Sequence, residues 1–240
     1  MFGDNKYSNV LTVFLVIVIV LILILLIFLG INVYNKYYIT KEAGDGVASF
    51  NNRVPDVDFD EGLYNDTIKN YNTSNTVDNT ANGNALANLI NPDSGSGSSS
   101  GGNSNGLYYK GFPMIGTIEI PKTDVNLPIL ANANKNSIEV SVAKQYGPDL
   151  NQPGNVVIIG HNYRNGLFFS NNKKLEVGDK VYIKDRNGIK LTYTIYSKFE
   201  TDSGDASFFN RDTNGKCEIT LSTCTDNDAN KRLILLARAE

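Results

Sequence analysis

The hydrophobic and polar positions divide the chain into an apolar N-terminal run, a polar middle and a patterned C-terminal half. Residues 10–31 are apolar except for Thr12 and Gly30. A helix of about 22 residues is about 33 Å long, which is enough to cross the hydrocarbon core of a bilayer. Tyrosines follow the run directly, as in an interfacial aromatic belt. The pattern therefore predicts a transmembrane helix behind a short N-terminal tail, residues 1–9.

The lysines around this run leave its orientation open. Lys6 precedes it and Lys36 and Lys41 follow it, so the rule that basic residues stay on the cytoplasmic side does not decide. A cleaved signal peptide has a shorter apolar core and a small-residue cleavage site, and neither is seen here. We therefore expect an uncleaved membrane span.

The polar middle, residues 32–106, is dominated by Asn, Asp, Ser, Thr and Gly, and residues 91–106 are of low complexity. Such a segment cannot bury enough apolar surface to offset the entropy that it loses on ordering. We therefore expect a flexible stalk. Two weak apolar patches, at residues 54–64 and 85–90, are the places where it could form a helical turn or dock on a domain.

Short alternating runs fill residues 107–240, a stretch long enough for one hydrophobic core. The predicted strands are residues 114–120, 125–130, 155–160, 180–184 and 189–199, followed by two strands around Cys224. Asn187-Gly188 lies between two of them and is a strong hairpin signal. Residues 136–146 have the strongest helical pattern of this half. About seven or eight short strands with one or two short helices predict a mainly β fold, a closed or nearly closed barrel.

The strand that leads to Cys224 has two different faces. Residues 217–223 alternate, so that Cys217 lies on the apolar face and Cys224 leaves the strand on the polar face. Residues 225–230 are loop formers, and Arg232 opens a second apolar run. A hairpin would therefore bring Cys224 and Arg232 to the same end of a sheet.

The chain has one histidine, His161, and two cysteines. A thiol acts as a nucleophile only as the thiolate, and a neighbouring imidazole or cation is its usual activator. Taken singly these residues are weak signals, because a lone histidine at a strand end is more often an ordinary surface residue. The two cysteines are about 23 Å apart along one strand. A disulfide needs Cα atoms within about 7 Å, so we expect two free thiols.

Composition argues against several kinds of partner. The net charge of −3, from 22 basic and 25 acidic residues, offers no basic field for a nucleic acid. One histidine and two separated cysteines do not form a zinc set. Asp226, Asp228 and Asn230 have the first spacings of a calcium loop, but Lys231 replaces its glycine and Ala237 its final glutamate. We expect no metal and no cofactor.

Three motifs resemble those of the sortase family. Thr220-Leu221-Ser222-Thr223-Cys224, followed by Arg232-Leu233-Ile234, is similar to the Thr-Leu-x-Thr-Cys signature and its downstream arginine strand. Residues 155–162 resemble the segment that carries the family's histidine, and residues 116–121 resemble its opening strand. The resemblance covers about residues 110–240 in the same order. An N-terminal span and stalk also match the layout of Gram-positive sortases.

This resemblance implies a sortase-like β-barrel and a membrane-anchored cysteine transpeptidase. Cys224 is implied as the nucleophile that attacks a Leu-Pro-x-Thr-Gly-like sorting signal, His161 as the acid and base, and Arg232 as the cation that holds the substrate or its oxyanion. Thr223, Ser222 and Asn162 are implied as substrate-binding residues. The implied partners are surface proteins with a C-terminal sorting signal and a peptidoglycan precursor or another amine acceptor. The catalytic domain would lie outside the cell on a single-pass anchor.

The subclass and two other functions stay open. No Asp-Pro-aromatic lid precedes the barrel pattern and no second span follows it, which favours wall anchoring over pilus assembly. Another cell-wall cysteine peptidase or transpeptidase would have a glycine directly before the cysteine or a second histidine, and neither is present. A membrane-tethered β-barrel that binds a partner without catalysis is the remaining alternative.

Overall fold

The computed structural model describes residues 5–57 and 107–240, with side chains from residue 10 onward. The stalk prediction for residues 58–106, including the patch at 85–90, lies outside the described residues. The chain divides into two compact units, Met1–Glu42 and Ala43–Glu240. The boundary falls within the N-terminal helix α1, Asn5–Arg53.

The first unit contains the apolar part of α1. Helical structure is present throughout the predicted span, residues 10–31, and nearly all of the apolar side chains there are exposed. In the described part of the chain, α1 is the one helix whose length and composition allow it to cross a membrane. An isolated helix without a polar face is stable in lipid because every backbone group is bonded within the helix.

The second unit begins earlier than the sequence pattern indicated. Residues 32–53, assigned to the flexible stalk, are helical. Ala43, Val47, Phe50 and Val54 are buried, and their spacing places them on one face of the helix. The expectation failed here because this sparse stripe lies among polar residues and gains its stability from packing on the barrel.

Lys184 holds the end of this segment against the barrel. Its ammonium donates hydrogen bonds to the carbonyl of Val54 at 2.5 Å and to Asn51 Oδ1 at 3.2 Å, and it forms an ion pair with Asp56 at 2.7 Å. The side chain of Lys184 is only 5% exposed. A lysine buried to this extent needs such partners. The folded unit therefore contains residues 43–57 in addition to the predicted 107–240.

Nine strands form one sheet around the core of this unit. They are β1 Tyr108–Tyr109, β2 Phe112–Ile120, β3 Val125–Leu130, β4 Val142–Tyr146, β5 Gly154–Ile159, β6 Lys180–Asp185, β7 Lys190–Asp202, β8 Cys217–Cys224 and β9 Lys231–Ala239. Their order is β1-β2-β3-β4-β5-β8-β9-β7-β6, and β6 also pairs with β2. This pairing closes strands β2 to β9 into an eight-stranded barrel, so the predicted mainly β barrel is confirmed.

Two of the pairings are parallel, β3 with β4 and β5 with β8, and the others are antiparallel. The strand β8 therefore lies between β5 and β9. The C-terminal end of β8 meets the C-terminal end of β5 on one side and the N-terminal end of β9 on the other. The parallel and antiparallel neighbours of β8 thus bring the segment after β5 to the same end of the barrel as the β8–β9 hairpin.

The helix predicted at residues 136–146 is wrong over most of its length. A short helix α2, Lys135–Ile138, is capped by Asn134, whose side chain accepts hydrogen bonds from the backbone of Asn136 and Ser137. The chain then enters β4, where Val142 pairs with Ile129. Because Val142 and its neighbour are fully buried against β3, sheet pairing overrides the local helical pattern.

The polar face of β8 is buried, although its alternation suggested contact with solvent. Glu218 forms ion pairs with Arg211 at 2.6 Å and Arg238 at 2.7 Å and accepts a hydrogen bond from Tyr196. Burial opposes ionisation, but the donors Tyr196, Arg238 and Arg211 hold the pKa of Glu218 below its usual range. The loop between β7 and β8 covers this face, with Phe208 packed on β5 and β9. Glu218 and Thr220, at the start and middle of β8, therefore belong to a buried polar network.

Candidate active site

Cys224 and Arg232 occupy opposed positions at the open end of the hairpin β8–β9. Their Cα atoms are register partners, so their side chains point to the same face of the sheet. Cys224 is partly exposed and is a free thiol. One guanidinium nitrogen of Arg232 donates to the carbonyls of Ala229 at 2.7 Å and Lys231 at 3.1 Å. Within the described residues its other N–H groups make no hydrogen bond, which leaves them available to an oxygen of a ligand.

His161 follows β5 and lies at the same end of the barrel as Cys224. The parallel register pairs Ile159 with Ser222, and the backbone N–H of Gly160 continues the ladder by donating to the carbonyl of Ser222 at 3.2 Å. Extending this register by two residues sets His161 beside Cys224. Its side chain is 27% exposed. Cys224 thus lies between the histidine segment on one side and Arg232 on the other.

Asn162 braces the segment that follows the cysteine. Its amide donates to the carbonyl of Cys224 at 2.9 Å and to Asp226 at 2.7 Å, and its oxygen accepts the backbone N–H of Arg164 at 3.0 Å. The amide nitrogen and oxygen are both engaged within the protein. Asn162 therefore supports the loop that follows Cys224, and its contact with substrate stays a prediction.

Ser222 and Thr223 are both buried. Ser222 shares the face of Cys224, while Thr223 points to the opposite face because strand residues alternate. The hydroxyl oxygen of Thr223 has no hydrogen-bond partner in the described part of the chain. Neither side chain is exposed in this structure, and their contact with substrate stays a prediction.

Asp226 anchors the loop between β8 and β9 through two side-chain contacts. Lys173 forms an ion pair with this carboxylate, and the amide of Asn162 donates to its other oxygen. The Lys173 hydrogen bond, followed by that of Asn162, holds the pKa of the Asp226 carboxyl below its usual range. In the described ranges no group of three His, Cys, Asp or Glu residues is close enough to hold a metal ion.

Glu139 is part of the site, and sequence reasoning did not identify it. It follows α2, and its Oε1 lies 3.2 Å from Nε2 of His161, at an ion-pair distance without hydrogen-bond geometry. Its Oε2 accepts a hydrogen bond from the hydroxyl of Tyr163, whose ring packs on His161 with centroids 4.8 Å apart. No local signal could have found it, because residue 139 fell inside the helix predicted for residues 136–146.

The surroundings of Glu139 and Tyr163 fix the protonation state of each residue. The hydrogen bond from Tyr163 is the main reason that the pKa of Glu139 lies below its usual range, and the charge of His161 lowers it further. Burial, together with the bond to Glu139, raises the pKa of Tyr163. Glu139 is therefore an anion and Tyr163 a neutral donor at physiological pH.

Cys217 lies at the other end of β8, buried in the core. Its sulfur is 3.5 Å from the carbonyl oxygen of Asn151. The structure thus separates the two thiols: Cys224 lies opposite Arg232 and next to the segment that carries His161, whereas Cys217 is buried at the far end of β8. Only Cys224 has the neighbours that activate a nucleophile.

The fold and this constellation define a β-barrel protein with a cysteine site, and comparison with known proteins places it in a family. A family model described as a sortase domain matches residues 118–240, about half of the chain. The chain belongs to the sortase family. Sortases are cysteine transpeptidases.

Relatives agree with this assignment. Sortase A of Bacillus anthracis is 30% identical over 125 residues, which cover 51% of this chain and 58% of that protein. Sortase A of Streptococcus agalactiae is 29% identical over 135 residues, which cover 54% of each chain. The chain thus matches less than two thirds of the length of these relatives. Among solved structures, a lid mutant of sortase A from Corynebacterium diphtheriae is 25% identical with a TM-score of 0.50, covering 73% of this chain and 90% of that one.

Proposed function

We propose that this protein is a membrane-anchored sortase that joins surface proteins to an amine of the cell wall through a thioacyl intermediate on Cys224. The observation that carries the proposal is the position of Cys224, directly opposite Arg232 on β9 and beside the His161 segment that follows β5. Family membership supports the reaction class, and the neighbours of the thiol support the assignment of roles to individual residues.

The first half of the reaction forms the thioester. The thiolate of Cys224 attacks the threonine carbonyl of a Leu-Pro-x-Thr-Gly-like sorting signal, and the carbonyl oxygen takes up negative charge. The free N–H groups of Arg232 stabilise this oxyanion. Losing one preorganised donor of this kind lowers the rate by about 100- to 1000-fold. His161 protonates the departing amine, a step for which positioned acid catalysis contributes about 100- to 10,000-fold.

The second half transfers the acyl group. An incoming amine attacks the thioester carbon, His161 accepts a proton from it, and the C–S bond breaks to restore the thiolate of Cys224. The product is a new amide bond, so the net reaction is transpeptidation. The structural setting supports this order, because the histidine lies on one side of the cysteine and the guanidinium on the other.

The N-terminal helix supports the location. Residues 10–31 form the membrane anchor, and the stalk holds the catalytic unit on the outer side of the membrane. The substrates are then surface proteins whose C-terminal sorting signals emerge near the membrane. The acceptor is an amine of a peptidoglycan precursor or a related cell-wall group.

Intact mass spectrometry of the full chain in detergent micelles tests this proposal. The protein is mixed with a panel of Leu-Pro-x-Thr-Gly-like peptides, with Cys224→Ala as the inactive variant and Cys217→Ser as the matched control. We expect an acyl adduct on the wild-type protein and on Cys217→Ser only, and its conversion to a transpeptidation product when a glycine amine is added.

Three results would contradict the proposal. If the folded wild-type protein forms no adduct with any peptide, a sortase acting on this signal class is excluded. If Cys224→Ala and the wild type bind a peptide equally well and neither turns it over, the protein is a binding module. If an adduct forms but reacts only with water, the protein is a peptidase.

A further inference from the structure

The carboxylate of Glu139 contacts His161 and Tyr163 and is still exposed to solvent. One oxygen lies 3.2 Å from Nε2 of His161, and the other accepts the hydroxyl of Tyr163. Its side chain is nevertheless 55% exposed. Each carboxylate oxygen has two lone pairs. Glu139 can therefore bind a further donor that arrives from outside without losing its present partners.

The charge of Glu139 is not neutralised by a permanent cation. In the described part of the chain no lysine or arginine lies within ion-pair distance of it; Lys135, one helical turn earlier, acts only through its more distant charge. Asp226, the other acidic side chain beside the site, is in contrast occupied by Lys173 and Asn162. Of these two carboxylates, only Glu139 is free to attract a cation.

The two sides of Cys224 therefore differ in charge. Arg232 lies on the β9 side and attracts the oxygen of a carbonyl, whereas Glu139 lies on the histidine side and attracts an ammonium group. A transpeptidase needs both, since one substrate presents a carbonyl and the other an amine that is protonated at neutral pH. The polarity of the site assigns one side to each substrate.

We propose that Glu139 is the docking residue for the amine acceptor, and that it binds the acceptor as a primary ammonium ion beside His161. The inference rests on the proposed function and adds a specificity-determining residue to it. Tyr163 is the positioning residue, because its hydroxyl fixes one carboxylate oxygen and its ring packs against the imidazole.

The proton balance of the transfer is consistent with this role. The docked ammonium releases one proton to water and becomes a neutral amine, while Glu139 remains a carboxylate. The nitrogen lone pair forms the C–N bond, and the nitrogen gives its second proton to the neutral His161. The C–S bond breaks with its electron pair on the sulfur of Cys224, which regenerates the thiolate and the imidazolium.

Glu139→Gln tests the proposal in the full chain in detergent micelles. Glutamine keeps the size and an oxygen that can accept from Tyr163 but lacks the charge. The control is Glu176→Gln, which removes the charge of another exposed glutamate, one paired with Lys198 at 3.0 Å. We expect Glu139→Gln to raise the KM for a glycine-peptide amine about tenfold. The rate of acylation of Cys224 and the rate with hydroxylamine, which is neutral at pH 7.5, should both change by one common and smaller factor, which measures the loss of the charge beside His161.

Salt provides a second readout. An exposed ion pair weakens with ionic strength, so the KM for the glycine amine should rise with sodium chloride in the wild type and in Glu176→Gln. The same titration should have a much smaller effect on Glu139→Gln. Tyr163→Phe should give an intermediate KM, since the carboxylate keeps its charge but loses one of the two groups that orient it.

Different outcomes separate this inference from the proposed function. If acylation, hydroxylamine transfer and amine transfer all fall by the same factor in Glu139→Gln, the residue positions His161 and does not dock the acceptor. An unchanged KM for the glycine amine would equally overturn the inference while leaving the sortase reaction intact. Failure of the wild-type protein to form any acyl adduct would refute the proposed function itself.

Discussion

Cys224 and Arg232 are directly opposed across the β8–β9 hairpin, while Lys231, one residue earlier, pairs with Asp202 at 2.7 Å. The fixed cation beside the thiol is therefore Arg232, and its neighbour in sequence is engaged with β7. Because side chains alternate along a strand, Lys231 and Arg232 point to opposite faces of the sheet, and Lys231 cannot take the place of Arg232. This relationship makes the two basic residues a natural test pair.

Arg232→Lys should lower kcat/KM for the sorting peptide by about 100-fold, because a single ammonium cannot replace the forked donors of a guanidinium. Lys231→Arg should leave kcat/KM within about twofold, since the ion pair with Asp202 tolerates either cation. Steady-state kinetics of peptide cleavage measure both variants. Equal losses would mean that Arg232 is not the cation of the site.

Cys217→Ser should lower stability without affecting the chemistry. Cys217 is buried, and the smaller, more polar serine costs about 1–2 kcal/mol in the free energy of unfolding. Urea denaturation measures this loss, and mass spectrometry of the acyl adduct measures the activity that remains. A variant that is as stable as the wild type but inactive would contradict the core role of Cys217.

Phe50→Ala should destabilise the catalytic unit by about 3–5 kcal/mol, the usual cost of removing a buried phenylalanine. Phe50 is fully buried and packs with Met114, Leu130 and Tyr109 on the barrel. A variant that begins at residue 43 should retain the thermal stability of the barrel, whereas one that begins at residue 107 should have a clearly lower Tm. Calorimetry compares the three proteins. Equal Tm values for the two shortened chains would show that residues 43–57 add nothing to stability.

Asp185 should make the protein less stable as the pH rises. Burial raises the pKa of this carboxyl to about 6, against hydrogen bonds from the backbone of Asn187 and Ile189. A group whose folded-state pKa is raised contributes stability that is complete below its unfolded pKa of 3.8 and is lost as the pH rises through about 6. The contribution is on the order of 3 kcal/mol.

Asp185→Asn removes this titration and keeps a side-chain oxygen as the acceptor of the β6–β7 turn. Relative to the wild type, the variant should gain about 2 kcal/mol between pH 4 and pH 8, measured by urea denaturation across that range. Asp212→Asn, at an exposed aspartate that also accepts a backbone N–H, is the matched control. A stability difference that is constant with pH would refute the role of Asp185.

The strands were largely predictable because local signals mark both their faces and their ends. Residues 125–130 coincide with β3, between Asp124 and the loop that follows Leu130. Gly188 has a φ of +82° in the turn between β6 and β7, a conformation that glycine adopts without strain. The hairpin β8–β9 was predictable for the same reason, and with it the proximity of Cys224 and Arg232.

Other features depend on contacts that no local pattern contains. Strict alternation would place Phe199 on the buried face of Tyr193 and Ile195, but Phe199 is exposed because a register shift between Ile195 and Ser197 reverses the alternation. The strand β4 exists because Val142 finds a partner in β3, and the end of α1 is held by groups on the barrel. Glu139 could not be assigned to the site for the same reason, since it reaches His161 only after α2 ends early and β4 turns toward β5.

The parallel pairing of β5 with β8 has a consequence for the synthesis of this protein. His161 and Cys224 come together only when strands more than 60 residues apart in sequence have paired. Such non-local contacts form late, because the entropy of closing long loops must be overcome first. A newly made chain therefore carries Cys224 without the neighbouring histidine segment, and the candidate site is assembled only with completion of the barrel.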